Sequence, residues 1–99
     1  MTTSIRVKLT ERAELDLIDI WFAIANYNPL DADRFLDTLN NRIDSLASYP
    51  DRGAPRPRLG KGIRLLIEGN YLIIYRTTDS GVSVIRIVHG ARDLAELLD

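Results

Sequence analysis

The sequence predicts an α+β domain: an N-terminal strand and an α-helical hairpin packed on a small, mainly antiparallel sheet of about four strands, all in one unit spanning residues 1–99. Three observations carry that reading. Ile5-Arg6-Val7-Lys8-Leu9 alternates apolar and polar side chains, the period of a half-buried strand. Two stretches with helical spacing follow, beginning at Glu11 and at Pro29 and separated by only one or two residues. The last third holds short apolar runs punctuated by Gly69-Asn70 and Asp79-Ser80-Gly81, the pattern of antiparallel strands joined by tight turns.

The first helix is announced by Thr10, whose hydroxyl suits an N-cap, and by Glu11 and Glu14, placed where the helix dipole favours negative charge. Ala13, Leu17, Ile20, Ile24 and Tyr27 follow the 4-3-4-3 spacing of one face, with Trp21 beside them. Leu15, Ile18, Phe22 and Ala25 continue the apolar surface around the side, leaving Arg12, Asp16, Asp19, Ala23 and Asn26 as a solvent-facing strip about 80° wide. Such a helix is expected to touch more than one neighbour.

Asn28-Pro29 reads as an N-cap followed by proline at the first helical position, where the missing N–H costs nothing. Ala32, Phe35, Leu36, Leu39, Ile43, Leu46 and Ala47 span only about 120° of arc on this second helix, an ordinary amphipathic pattern. The short connection folds the two helices into an antiparallel hairpin, the first partly sandwiched between its partner and the sheet. Tyr49-Pro50 ends the helix, because a residue before proline is pushed out of helical geometry.

From Pro50 to Gly62 three prolines and three glycines sit among Arg52, Arg56, Arg58 and Lys61, a stiff basic loop. It suits docking on DNA or ribosomal RNA, or is a solvated crossing. Ile63 to Glu68 and Tyr71 to Arg76 then flank the Gly69-Asn70 turn, and Val82 to His89 forms the last strand. Residues 92–98 are expected to form a short final helix or a packed tail.

Composition removes several classes of chemistry. Hydrophobic residues make up 45% and charged residues 27% of the chain, ordinary values for a folded domain. No apolar run approaches the roughly 20 residues needed to span a bilayer, and Met-Thr-Thr-Ser-Ile-Arg lacks an apolar secretory core, so a cytoplasmic location without membrane contact is expected. With no cysteine and one histidine, thiol nucleophiles, disulfides, zinc sites and iron–sulfur clusters are excluded, and neither metal nor cofactor is expected. The net charge of −1 is low for a domain built on phosphate contacts, yet the acids concentrate in the first half and the bases between Arg52 and Lys61.

Four stretches carry a family likeness: Leu9 to Trp21, Ala32-Asp33-Arg34-Phe35, Tyr71-Leu72-Ile73-Ile74-Tyr75-Arg76, and Val84-Ile85-Arg86-Ile87-Val88-His89-Gly90-Ala91-Arg92-Asp93. In this order and length the chain resembles the RelE/ParE toxins of bacterial type II toxin–antitoxin pairs. The resemblance implies a cognate antitoxin, a small DNA-binding protein with an extended tail, and hence a toxin–antitoxin hetero-oligomer. It implies one of two targets, because the fold alone does not fix function: RelE-like relatives cleave messenger RNA on the ribosome, whereas ParE-like relatives inhibit DNA gyrase.

RNA-cleaving relatives typically carry an arginine in the central strand and a tyrosine or histidine near the C-terminus. Here Leu72 stands at the arginine position and no tyrosine follows Tyr75, so a base, an acid and a phosphate clamp are not all supplied. The ParE-like branch is therefore preferred, with no catalytic residue. Its target-binding residues would be Arg86, His89, Arg92 and Asp93, and its antitoxin contacts Trp21, Phe22 and Arg76. A ribonuclease would instead draw on His89, Arg86, Arg76, Arg64 and Lys61, with Tyr71 or Tyr75 as partner to the imidazole. Strand parity suggests one sheet face for Arg64, Arg76 and Arg86, as an anionic-ligand surface or as edge charges paired with nearby acids. The third possibility is a non-toxic domain that only binds an antitoxin-like partner.

Overall fold

The computed structural model describes residues 6–90. The elements are β1 (Arg6–Leu9), α1 (Glu11–Ala25), α2 (Pro29–Ser45), β2 (Ala54–Pro55), a 3₁₀ turn over Pro57–Leu59, β3 (Ile63–Glu68), β4 (Tyr71–Thr78) and β5 (Gly81–His89). They build one sheet in the order β1-β5-β4-β3-β2, in which only β1 runs parallel to its neighbour, β5. The α+β class holds, and the sheet has a fifth strand. Ala54 and Pro55 pair with Leu65 and Arg64, so part of the basic loop is an edge strand, and its proline keeps that edge from recruiting another chain.

The caps act as expected. Thr10 is extended and its hydroxyl accepts the Ala13 N–H, while the same hydroxyl donates to the Ile85 carbonyl at 2.8 Å, so the residue that starts α1 also ties it to β5. Asn28 accepts from the N–H groups of Leu30 and Asp31, with Pro29 in the first turn. In the β3–β4 turn Gly69 takes φ +59° while, among the described residues, no non-glycine residue has positive φ, as a turn with glycine at its first central position requires.

Two clusters of buried side chains lie on opposite faces of the sheet. Ala13 and Ile20 of α1 and Leu39, Ile43 and Leu46 of the α2 region meet Leu66, Ile73, Tyr75, Val82, Val84 and Ile87. The alternate positions Ile63, Leu65, Leu72, Ile74 and Val88 form the second cluster on the other face.

Two expectations for α1 are corrected. Asp16, placed on the solvent strip, is only 6% exposed, and Tyr27, placed on the inner face, lies beyond the helix and is exposed. The cause is where α1 rests. It packs on α2 and along the flank of β5 just past the end of β1, and this turns the line Ala13, Asp16, Ile20 inward. The side that carries Leu15, Ile18 and Phe22 therefore faces out instead of being sandwiched.

At the other end of β5, a Cβ on Gly81 would collide with the backbone carbonyl of Arg6, so the closest approach of β1 to the sheet depends on glycine there. Among the described residues no helix is long and apolar enough to cross a membrane.

Candidate functional site

The three sheet arginines do not share a face. Counting outward from the two-residue turn, Arg64 stands across from Tyr75 and Arg76 across from Ile63, which puts Arg64 on the helical side and Arg76 on the opposite one. Arg86 stands across from Ile74, which by register groups it with Arg76, yet its guanidinium reaches Asp16 of α1. The β4–β5 register shifts between Ile74, opposite Arg86, and Tyr75, opposite Val84, leaving Ile85 as the extra residue of a bulge. A surface common to all three arginines is thus ruled out by the tight turn, which sets Arg64 across from Tyr75.

Each guanidinium has its own task. Arg86 donates through Nε to Asp16 Oδ2 at 2.8 Å and through Nη2 to Oδ1 at 3.2 Å, a bidentate pair. The Ile87 N–H also donates to Asp16 Oδ2, at 2.9 Å. β1 has ended by this point, so the Asp16 carboxylate takes the place of the missing neighbouring strand. Arg64 donates to the carbonyls of Asp51 and Gly53 and pairs with the Asp51 carboxylate at 3.4 Å, holding down the start of the basic loop. Arg76 is exposed and its Nε donates to the Lys61 carbonyl at 3.1 Å.

Tyr75 completes that anchorage. Its buried hydroxyl donates to the Pro50 carbonyl at 2.7 Å and accepts the Gly53 N–H at 2.8 Å. A Cβ on Gly53 would lie 2.8 Å from both the Tyr75 ring and the Leu65 carbonyl, so glycine lets the loop sit this close. Burial raises the Tyr75 pKa above its ordinary 10.0, opposed by the Gly53 hydrogen bond. A folded-state pKa above the unfolded one means that the unfolded chain releases this proton first. The contribution is whole below pH 10 and is lost as pH climbs from 10 through the folded value. Alkaline unfolding followed by circular dichroism is expected to show this loss in the native protein and to lack it in Tyr75→Phe, which should be less stable by about 1 kcal/mol at neutral pH.

His89 packs edge-on against Tyr71, ring centroids 5.3 Å apart, and Tyr71 packs in turn on Phe35. His89 and Tyr71 border an open cleft of about 490 Å³ with Asn26, Tyr27, Asn28 and Asp31. Tyr75, the other partner considered for the imidazole, is committed to the loop. His89 sits at one end of β4 and β5 and Arg76 near the other, about 16 Å along the strand from Tyr71. The ribonuclease set of His89, Arg86, Arg76, Arg64 and Lys61 is therefore spread over two faces and both ends of the sheet. Arg92 and Asp93 lie outside the described residues.

The position where RNA-cleaving relatives carry their strand arginine is apolar. Leu72 is 8% exposed among Leu65, Ile74 and Val88. By contrast α1 presents an open apolar stripe: Leu15 is 46%, Ile18 52% and Phe22 60% exposed, spaced to lie on one side of the helix. Trp21 is half-buried, donates its indole N–H to Asp33 at 2.8 Å and meets Phe22 edge-to-face. Leu15 and Ile18 were legible as apolar, but only the position of α1 on the sheet shows that they are uncovered. Asp16 was missed altogether, because its partner lies 70 residues away.

The family model for the ParE toxin of type II toxin–antitoxin systems matches residues 7–94. The chain is 38% identical to toxin RelE2 of Caulobacter vibrioides over 89 residues, which cover 88% of this chain and 97% of the relative. It is 30% identical to toxin ParE1 of Mycobacterium tuberculosis over 93 residues, 92% of this chain and 95% of the relative. The fold is similar to a chain of the chromosomal ParDE system of P. aeruginosa, with TM-score 0.73 and 21% identity over 87% of this chain and 96% of that one. A chain of the RelBE2 toxin–antitoxin complex of Mycobacterium tuberculosis gives TM-score 0.67 and 24% identity over 88% and 99%.

Proposed function

The chain belongs to the ParE toxin family of type II toxin–antitoxin systems, and from that premise we propose that it inhibits DNA gyrase by binding, with no covalent step of its own, and is silenced by a cognate antitoxin. Leu72 carries this reading. Cleavage at a 2′-hydroxyl builds negative charge on a pentacoordinate phosphate, and a buried leucine at the centre of the sheet offers that charge nothing. The cations that remain are dispersed, and two of them hold structural acids.

Gyrase would be gripped by Arg86, His89, Arg92 and Asp93 at the C-terminal end of the chain. The antitoxin would lie across α1, covering Phe22 with Leu15 and Ile18 and reaching the rim of Trp21. Arg76 lies on the opposite sheet face, so a partner touching both it and Phe22 has to be an extended segment that wraps the molecule.

The purified protein is expected to block supercoiling by gyrase and to accumulate cleaved DNA, while messages on translating ribosomes stay intact. Unimpaired supercoiling at concentrations that arrest growth would refute the reading. The 38% identity to a toxin named RelE2 supports a second one, ribosome-dependent mRNA cleavage. Codon-phased cuts in primer extension, abolished by His89→Ala, would establish it.

A further inference from the structure

Charge is distributed very unevenly over this nearly neutral chain. The helical layer from Glu11 to Ser45 holds eight acidic residues (11, 14, 16, 19, 31, 33, 37 and 44) and three basic ones (12, 34 and 42), a net of −5. The opposite border, Asp51 to Arg64, holds five basic residues (52, 56, 58, 61 and 64) and one acid (51), a net of +4, and Arg76 adds a sixth cation against Lys61. Asp51 is matched by Arg64. Among the described residues Arg52, Arg56, Arg58, Lys61 and Arg76 are all exposed and none is in an ion pair.

Arg76 stands on β4, and the other four charges are carried on a braced arm. Its base is bound to Tyr75 and Arg64, its middle is the β2 edge strand, and its far end is the 3₁₀ turn closed by the Gly60 N–H to the Pro57 carbonyl. Arg52 lies over the Tyr49 ring at 4.8 Å, and Arg56 donates to the Pro55 carbonyl at 2.9 Å. Side chains restrained in this way lose less freedom on meeting an anion than solvated ones do.

We propose that this border, Arg52, Arg56, Arg58 and Lys61 on the β2 arm with Arg76 of β4 beside them, is a sequence-independent contact for the phosphate backbone of duplex DNA. The arm contains no aromatic residue from Pro50 to Gly62, and the single ring at its base, Tyr49, has the Arg52 guanidinium over it at 4.8 Å, so the arm offers no run of rings on which successive unpaired bases would stack. Cations without stacking surfaces read backbone and shape. The choice of DNA over RNA rests on the proposed gyrase target, which holds a DNA duplex. In that setting the arm would lie on DNA flanking the break while other residues engage the enzyme, and the acidic helices would face away from the polyanion.

The test is binding of the full chain to a labelled DNA duplex of about 20 base pairs, without gyrase, across a salt series. Five phosphate contacts predict a slope of log K against log salt near −4.5, roughly a five-hundredfold weakening between about 50 and 200 mM salt. The variant Arg52→Gln, Arg56→Gln, Arg58→Gln, Lys61→Gln is expected to bind at least tenfold more weakly at about 50 mM salt and to flatten the slope toward −1, with unchanged thermal unfolding. Arg34→Gln, on exposed α2 surface, should change the slope little and serves as control. Retained affinity in the fourfold variant overturns the proposal, as does equal or tighter binding to single-stranded RNA or duplex RNA of the same length. Because this readout contains no gyrase, it fails or succeeds apart from the supercoiling assay.

Discussion

Asp16→Ala is expected to destabilise the protein by about 3 kcal/mol, within the range of about 3 to 5 kcal/mol for breaking a buried pair from one side. The lower end applies because the Arg86 side chain keeps 27% of its exposure and can recover some hydration. The substitution removes three accepted hydrogen bonds at once, and the Ile87 N–H is left facing a helix that can offer it nothing. For a domain of this size the loss corresponds to a melting temperature lower by about 12 to 24 °C. Asp16→Asn keeps an acceptor for Ile87 but not the charge, so it should lose less. A double-mutant cycle with Arg86→Met apportions the ion pair. A drop of only a degree or two for Asp16→Ala would show that the junction between α1 and β5 is held by packing alone.

The second large effect is expected on association. Ile18→Glu combined with Phe22→Glu should weaken binding of the cognate antitoxin at least a hundredfold, a loss of about 3 kcal/mol if both residues are buried anchors. Charges placed there must be desolvated under the partner. Both side chains are more than half exposed in the isolated chain, so thermal unfolding should move by no more than a few degrees. In cells that make both proteins, the variant should arrest growth where the native toxin is neutralised. Calorimetric affinity equal to that of the native pair would remove α1 from the interface and leave its stripe without an occupant.

Much of the architecture was legible because its signals are local. Thr10 and Asn28-Pro29 mark helix starts through side-chain oxygens that satisfy N–H groups two or three residues on, and Gly69-Asn70 fixes a hairpin. The short strand at Ala54–Pro55 was not legible, because two residues have no periodicity and a proline argues against a strand away from an edge. The arginine faces were half legible. Counting from the turn already sets Arg64 opposite Tyr75, whereas the bulge that redirects Arg86 is a tertiary event, made where β5 trades strand β1 for helix α1 as its neighbour. The same exchange explains Asp16: helical spacing alone made it a surface acid, and only the position of α1 gives it a buried partner.

The parallel pairing of Arg6–Leu9 with Gly81–Val84 joins nearly the first described residues to nearly the last, and Thr10 reaches Ile85 across 75 positions. During synthesis the opening segment therefore has no strand to join until Gly81–Val84 has been made, while the helical hairpin and the β3–β4 ribbon close early through neighbours in sequence. A ribosome-bound fragment that stops before residue 81 lacks both the strand and the carboxylate junction that position α1. Products truncated before that point therefore lack the seated α1 surface on which a partner would dock.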